Sequence, residues 1–161
     1  MIFKSLFSSA RQGRSDDVEL GKGVWRRSHD RFRRGLDRFH QMLEGVETDM
    51  SKPGASAALS NAYAELVPIA DVLAELLPKV RTIAQQAHAI APSEGMEIPT
   101  GTGGYLNDVH RELSRAGNAL AAAAEAVALV RLGVGEVSGV ERKAGIVAEH
   151  VGRARELLTK R

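Results

Sequence analysis

The chain has 161 residues, which suits one domain with its own buried core and excludes most multidomain enzymes. Hydrophobic residues make up 43% and charged residues 26%, as in ordinary globular proteins, while aromatic residues make up only 4%. Alanine and aliphatic residues must therefore form the core, which favours helices and argues against an all-β fold. The absence of cysteine excludes disulfides and thiolate chemistry and agrees with a cytoplasmic location.

The charge is balanced overall but unevenly distributed. The net charge of +2 does not require a nucleic-acid or membrane partner. Residues 1–40 contain ten Lys and Arg against five Asp and Glu, whereas residues 41–100 contain three against eight. Residues 101–161 contain nine against seven. The two ends of the chain are therefore basic and its middle is acidic.

Residues 1–14 are predicted to form a short amphipathic and flexible segment ahead of a single helical-bundle domain over residues 15–161. The segment places Ile2, Phe3, Leu6 and Phe7 on one side of a helix. Its apolar residues are interrupted by Lys4, so it does not resemble a signal peptide, and no stretch of about eighteen apolar residues occurs in the chain. We expect the segment to pack on its own domain or on a second subunit; binding to a membrane surface is the alternative.

The first long helix is expected to begin near Ser15, an N-cap residue followed by carboxylates that favour the positive end of a helix. Aromatic residues recur every seven positions along it, which predicts a buried face. That face comprises Trp25, Phe32, Phe39 and Val46, with His29, Leu36, Leu43 and Met50 at the second heptad position. Residues 21–23, Gly-Lys-Gly, are interpreted as a linker and cap.

The second helix follows the Gly- and Pro-containing residues 50–54 and shows a heptad pattern over five repeats. The pattern comprises Leu59, Leu66, Leu73, Val80 and Ala87, with Ala62, Ile69, Leu76, Ile83 and Ile90 between them. Pro68 and Pro78 lie inside it without changing the register, which predicts kinks instead of chain reversals. The Gly- and Pro-rich residues 91–104 end this helix.

Two further helices complete the pattern, one from about Tyr105 and one after residues 133–139. The third carries Leu106, Val109, Leu113, Ala116, Leu120, Ala123, Val127, Val130 and Val134 at heptad positions, and the fourth carries Val140, Ala144, Val147, Val151, Ala154 and Leu158. Together the segments predict an all-α, antiparallel up-and-down four-helix bundle with a kinked second helix. Counting from the connections places Trp25 level with Ala116 and Gly117, so that a large ring meets small residues.

Arginines dominate the polar side of the first helix. Arg27, Arg31, Arg34 and Arg38 step by four, three and four residues and so lie in one line opposite the aromatic face, with Arg26 and Arg33 flanking the line. Two carboxylates, Asp30 and Asp37, are spaced to neutralise part of this charge. Because guanidinium groups bind carboxylates and phosphates in a bidentate manner, all six arginines are candidates for docking an anionic partner. The alternative is an ordinary solvated helix surface in a chain that has sixteen Arg and six Lys.

Histidines provide a weaker hypothesis. Counting along the helices places His29, Glu75 and His150 near one layer of the bundle, which makes them candidates for metal binding. The Glu-x-x-His pairs of di-iron bundles are absent from the sequence. Histidines that are hydrogen-bonded within the fold are therefore the favoured interpretation, and no metal or other cofactor is expected.

The sequence contains no nucleophile paired with a base and no phosphate-binding motif, so catalysis is not expected. The leading hypothesis is a cytoplasmic protein that binds an acidic protein partner through the arginine face, with a homodimer also open. Non-specific binding of nucleic acid or of an anionic membrane through the same arginines is the first alternative. Sensing of a small molecule or a metal inside the bundle is the second.

Overall fold

The computed structural model describes residues 2–98 and 104–159, with side chains from residue 11 onward, and the regular structure in these residues is entirely helical. The helices are α1 (Ile2–Leu20), α2 (Val24–Met50), α3 (Ala57–Ile90), α4 (Tyr105–Arg131) and α5 (Val137–Thr159). The all-α prediction is confirmed. The described part of the chain contains five helices where the sequence predicted four.

The additional helix arises because the expected first helix is divided at residues 21–23. Gly21 has a φ of +71°, a conformation that interrupts an α-helix and suits glycine. Gly23 approaches the backbone of Ser93 so closely that a methyl group there would overlap with it. Ser15 consequently lies inside α1, and α1 also continues through residue 14, where the amphipathic segment was expected to end.

The start of α2 is capped by a residue far away in the sequence. Gly23 is the N-cap residue and has no side chain to offer, so the backbone N–H of Val24 donates to Oγ of Ser93 at 3.1 Å. The indole Nε1 of Trp25 donates to the carbonyl oxygen of Ala91 at 3.2 Å. The residues that follow α3 therefore lie across the beginning of α2 and fix it.

The predicted buried faces agree closely with the observed core. The heptad residues of α2, α4 and α5 are buried, except for half-buried Met50 and for Val134, which lies beyond the end of α4. In α3 the residues near the two ends, such as Leu59 and Ile90, are only half-buried. Since α3 has 34 residues and α2 has 27, its ends have fewer neighbours to pack against.

The second predicted helix is continuous. Both Pro68 and Pro78 lie inside α3, and the helix extends unbroken from Ala57 to Ile90. The prediction that these prolines do not reverse the chain is confirmed.

The helices pack in a spatial order that differs from their order in the chain. α2 contacts α3 and α4, and α5 contacts the same two helices, while the Cα atoms of α2 and α5 stay more than 8 Å apart among the described residues. α1 contacts α2 and α3. Contacts between α2 and α4 join Trp25 to His110 near their beginnings and Asp49 to Arg131 near their ends, so these neighbours run parallel.

The relative height of α2 and α4 also differs from the prediction. The ring of Trp25 lies edge-on to the ring of His110, with 6.1 Å between their centroids, six residues before Ala116. Gly117 instead lies against the side chain of Arg31. Counting outward from the connections was wrong here because it assumed that residues 91–104 merely join two helix ends, whereas residues 91–93 lie alongside the start of α2.

Candidate functional site: the arginine line of helix α2

The arginine line, defined as Arg27, Arg31, Arg34 and Arg38, lies on the outer face of α2. All four residues are exposed. Their position follows from helical geometry, because Phe32, Leu36 and Phe39 occupy the buried face and steps of three and four residues keep the arginines on the other. From Arg27 to Arg38 the line spans eleven residue steps, or about 16 Å of helix.

The guanidinium groups of this line do not pair with carboxylates in the part of the chain that the structure describes. Nη2 of Arg27 donates to the carbonyl oxygen of Gly95 at 2.7 Å. Nη2 of Arg31 donates to Oδ1 of Asn118 on α4. Both acceptors are neutral, and Arg34 and Arg38 form neither a hydrogen bond nor an ion pair with the described residues. The line therefore keeps four uncompensated positive charges.

The two flanking arginines behave differently. Arg26 lies 2.7 Å from Asp17 and 2.9 Å from Asp30, so its charge is compensated inside the molecule. Arg33 lies 3.9 Å from Asp30 and is only weakly paired. By their spacing, Asp30 and Asp37 were expected to neutralise Arg27, Arg33 and Arg34; Asp30 does lie near Arg33, but its closest arginine is Arg26. Of the six predicted docking residues, Arg26 is thus part of an internal ion-pair network.

That network attaches α1 to the other helices, and its key residues were not identified from the sequence. Asp16 is buried, and its carboxylate lies 2.6 Å from Arg81 of α3 and 3.9 Å from Arg26 of α2. Burial alone would raise the pKa of Asp16, but hydrogen bonds from Arg81 and Gln12 outweigh it and hold the pKa below its usual value. Arg81 also binds Glu19 at 2.6 Å. No short-range pattern signals the contacts of Arg81, because Asp16 and Glu19 lie more than sixty residues before it in the chain.

The histidines considered for metal binding do not come together. His29 is buried, and its Nδ1 lies 3.0 Å from Oδ1 of the neighbouring Asp30. Nδ1 of His150 lies 2.6 Å from Oε2 of Glu112 on α4, and Glu75 is exposed on α3. Within the described residues, no three His, Asp or Glu side chains are arranged to hold a metal ion.

The contact between His150 and Glu112 links α4 to α5 and was not foreseen. Glu112 is buried and also accepts a hydrogen bond from Nη1 of Arg115 at 2.9 Å. Burial would raise the pKa of Glu112, but the hydrogen bonds from His150 and Arg115 lower it overall. Glu112 lies between the heptad residues Val109 and Leu113. Only the expectation that the buried face of α4 is wider than its heptad positions could have identified it from the sequence.

The described helices include none that combines the length and the apolar character needed to cross a membrane. Comparison of the chain with models of protein families, with curated proteins and with solved structures finds no match. The functional argument therefore depends on the chain's own residues.

Proposed function

We infer that the chain is a non-catalytic cytoplasmic binding protein in which α2 to α5 form a four-helix scaffold and the arginine line docks an acidic segment of a partner protein. The observation that carries this proposal is that none of the described carboxylates pairs with the line, although Asp30 and Asp37 lie on the same helix. An arginine that forms an ion pair within its own molecule must break that ion pair before it can bind a carboxylate of a partner protein. The four charges of the line carry no such cost.

Two of the four guanidinium groups are already held in place. Gly95 orients Arg27, and Asn118 orients Arg31, by hydrogen bonds to single Nη atoms that leave the other donors of each fork available. Holding a long side chain in advance reduces the entropy lost on binding. Arg34 and Arg38 extend the same line with side chains free to adapt to a partner.

The dimensions of the line favour a peptide over a nucleic acid. A length of about 16 Å matches about five residues of extended chain, so three alternate carboxylates of an acidic segment would lie along the four arginines. Exposed Asp37 lies beside Arg38 on the same helix. A nucleic acid presents a broad surface of phosphates, which this carboxylate would repel while the arginines attract them.

The test is fluorescence anisotropy of a labelled six-residue glutamate peptide, with single-stranded and duplex DNA titrated in parallel. We expect the variant Arg34→Glu/Arg38→Glu to weaken peptide binding at least about tenfold, equivalent to roughly 1.4 kcal/mol. The matched control is Arg142→Glu/Arg155→Glu, which makes the same charge change at two exposed positions of α5 and should bind like the wild type.

Equal weakening in both variants would show that only net charge matters and would refute a specific dock. DNA binding that is tighter than peptide binding and disappears with the arginine line would favour the nucleic-acid alternative. The salt dependence supports this distinction, since phosphate binding weakens steeply as the salt concentration rises.

A further inference from the structure

A groove lies at the end of the molecule where α4 turns into α5 and meets the beginning of α3. Its volume is about 650 Å³. One wall comes from the first turns of α3, including Leu59 and Ala62, and the other from the end of α4 and the following turn, including Val130, Leu132 and Val137. We call it the end groove.

The turn beside the end groove holds a fixed shape. Gly133 has a φ of +78°, and its N–H donates to the carbonyl oxygen of Val130 at 3.0 Å. The N–H of Val134 donates to the carbonyl oxygen of Leu129 at 3.1 Å. This pair of bonds is the Schellman motif, which satisfies the last carbonyl groups of α4 and fixes the residues that follow.

The same turn exposes large apolar side chains. Leu132 is 74% exposed, Val134 is 75% exposed and Leu129 is 47% exposed. A contact between Val134 and Leu129 commonly accompanies a Schellman motif and accounts for part of this pattern. It does not account for Leu132, which lines the groove and whose apolar side chain is unfavourably exposed to water. Clustered exposed apolar side chains of this kind mark a surface that another element covers.

The charges around the groove are negative. Glu65 and Glu136 both line it and are exposed. Arg131 also lines it, but its guanidinium lies 2.6 Å from Asp49 of α2 and is compensated there. An occupant of this groove should therefore combine an apolar face with positive charge.

The beginning of α1 has this composition. Ile2, Phe3, Leu6 and Phe7 share one face of the helix by their spacing. The charged residues before Asp16 are all basic, namely Lys4, Arg11 and Arg14. The segment thus matches the groove in both apolar character and charge.

The groove of the same molecule is out of reach for this segment. Asp16 is fixed beside Arg81, and from there Phe3 lies thirteen residues away, or about 20 Å along the helix. Leu59, in the groove, lies twenty-two residues back along α3 from Arg81, or about 33 Å. Among copies of this segment, only that of a second molecule can therefore reach the groove.

We propose that two copies of the chain form a dimer by exchange, in which the apolar face of residues 2–7 of each copy packs into the end groove of the other. The arrangement is self-complementary, so it closes at two copies and leaves no groove open for further addition. It does not depend on the arginine line.

The test is analytical ultracentrifugation of the full chain, which we expect to be a dimer. Phe3→Ser/Phe7→Ser removes the inserted rings, and Leu132→Ser/Val134→Ser removes the apolar side chain of Leu132 from the groove and that of Val134 from the adjoining turn. Each double variant should weaken dimerisation about a hundredfold or more, because buried aromatic and aliphatic side chains dominate such contacts. The control, Val72→Ser/Ile146→Ser, changes exposed apolar residues elsewhere and should stay dimeric.

A labelled peptide of residues 1–14 keeps the proposal falsifiable if a variant folds poorly. It should bind the full-length Phe3→Ser/Phe7→Ser protein, and this binding should be lost when Leu132→Ser/Val134→Ser is added. A monomeric wild type that does not bind the peptide would overturn the proposal, as would a dimer that withstands both groove and segment variants. Binding of a monomeric chain to anionic vesicles that requires Phe3 and Phe7 would overturn it in favour of a membrane contact.

Discussion

His29 shows how one buried side chain makes the stability of this molecule depend on pH. It lies at a heptad position of α2 and is almost fully buried. Burial lowers its pKa below the ordinary value of 6.5 and outweighs the opposing effect of the nearby Asp30 carboxylate. His110, beside Trp25, also has a lowered pKa, because of burial and because of the positive charge of Arg27.

We predict that the free energy of unfolding decreases as the pH falls below about 6.5. Between the lowered pKa of the folded state and the ordinary pKa of the unfolded state, the unfolded chain binds more protons, so acid favours unfolding in this window. Urea denaturation at several pH values between about 7.5 and 5 measures the effect before carboxylates titrate. In His29→Leu the dependence should be shallower, and a dependence equal to that of the wild type would contradict the role of His29.

The arginine line shows what single residues reveal before a structure is known. Steps of four, three and four predicted that Arg27, Arg31, Arg34 and Arg38 share one face, and all four are exposed. The sequence could not predict that Gly95 and Asn118 orient two of them, because these partners lie 68 and 87 residues away. The spacing correctly placed Arg33 near Asp30 but did not identify Arg26 as the closer partner of this carboxylate.

At the scale of elements, helical periodicity predicted the buried faces well and the helix boundaries less well. The heptad pattern located the core of α2, α4 and α5, because burying an apolar stripe is a local property of each helix. The interpretation of residues 21–23 as a linker and cap is confirmed, but the helix was wrongly expected to begin at Ser15 and so to include them. The division of the helix there depends on the tight approach of Gly23 to Ser93, which lies seventy residues away.

The attachment of α1 depends on the buried carboxylate of Asp16, and we predict that Arg81→Ala detaches this helix. Removing Arg81 leaves Asp16 buried without its principal partner, a change that costs about 3 kcal/mol in comparable buried pairs. Hydrogen exchange of the α1 amides should therefore become about a hundredfold faster, while the amides of α4 and α5 stay protected. Arg153→Ala is the control, because its pair with Glu149 is exposed and 4.0 Å long. Equal exchange rates in α1 for both variants would contradict this account.

At the scale of the whole molecule, the sequence predicted helices and faces but not which helices are neighbours. Heptad patterns are compatible with several spatial orders, since each apolar stripe only requires a partner stripe. The observed order places α2 beside α4 and leaves α2 and α5 apart. Residues 91–98 support this order by binding the start of α2 through Ala91, Ser93 and Gly95.

This order can be tested by cross-linking, because the chain has no cysteine of its own. A Cβ atom placed on Gly35 of α2 would lie 3.8 Å from Cβ of Leu120 on α4, which is the usual separation in a disulfide. Gly35→Cys/Leu120→Cys should therefore form an intramolecular disulfide on mild oxidation, seen as faster migration on a non-reducing gel. Gly35→Cys/Val147→Cys places the cysteines on α2 and α5, whose Cα atoms are more than 8 Å apart, so this pair should remain reduced. A cross-link in the second pair but not in the first would show that α2 lies beside α5. It would also contradict the parallel contact between α2 and α4, through which Asn118 orients Arg31.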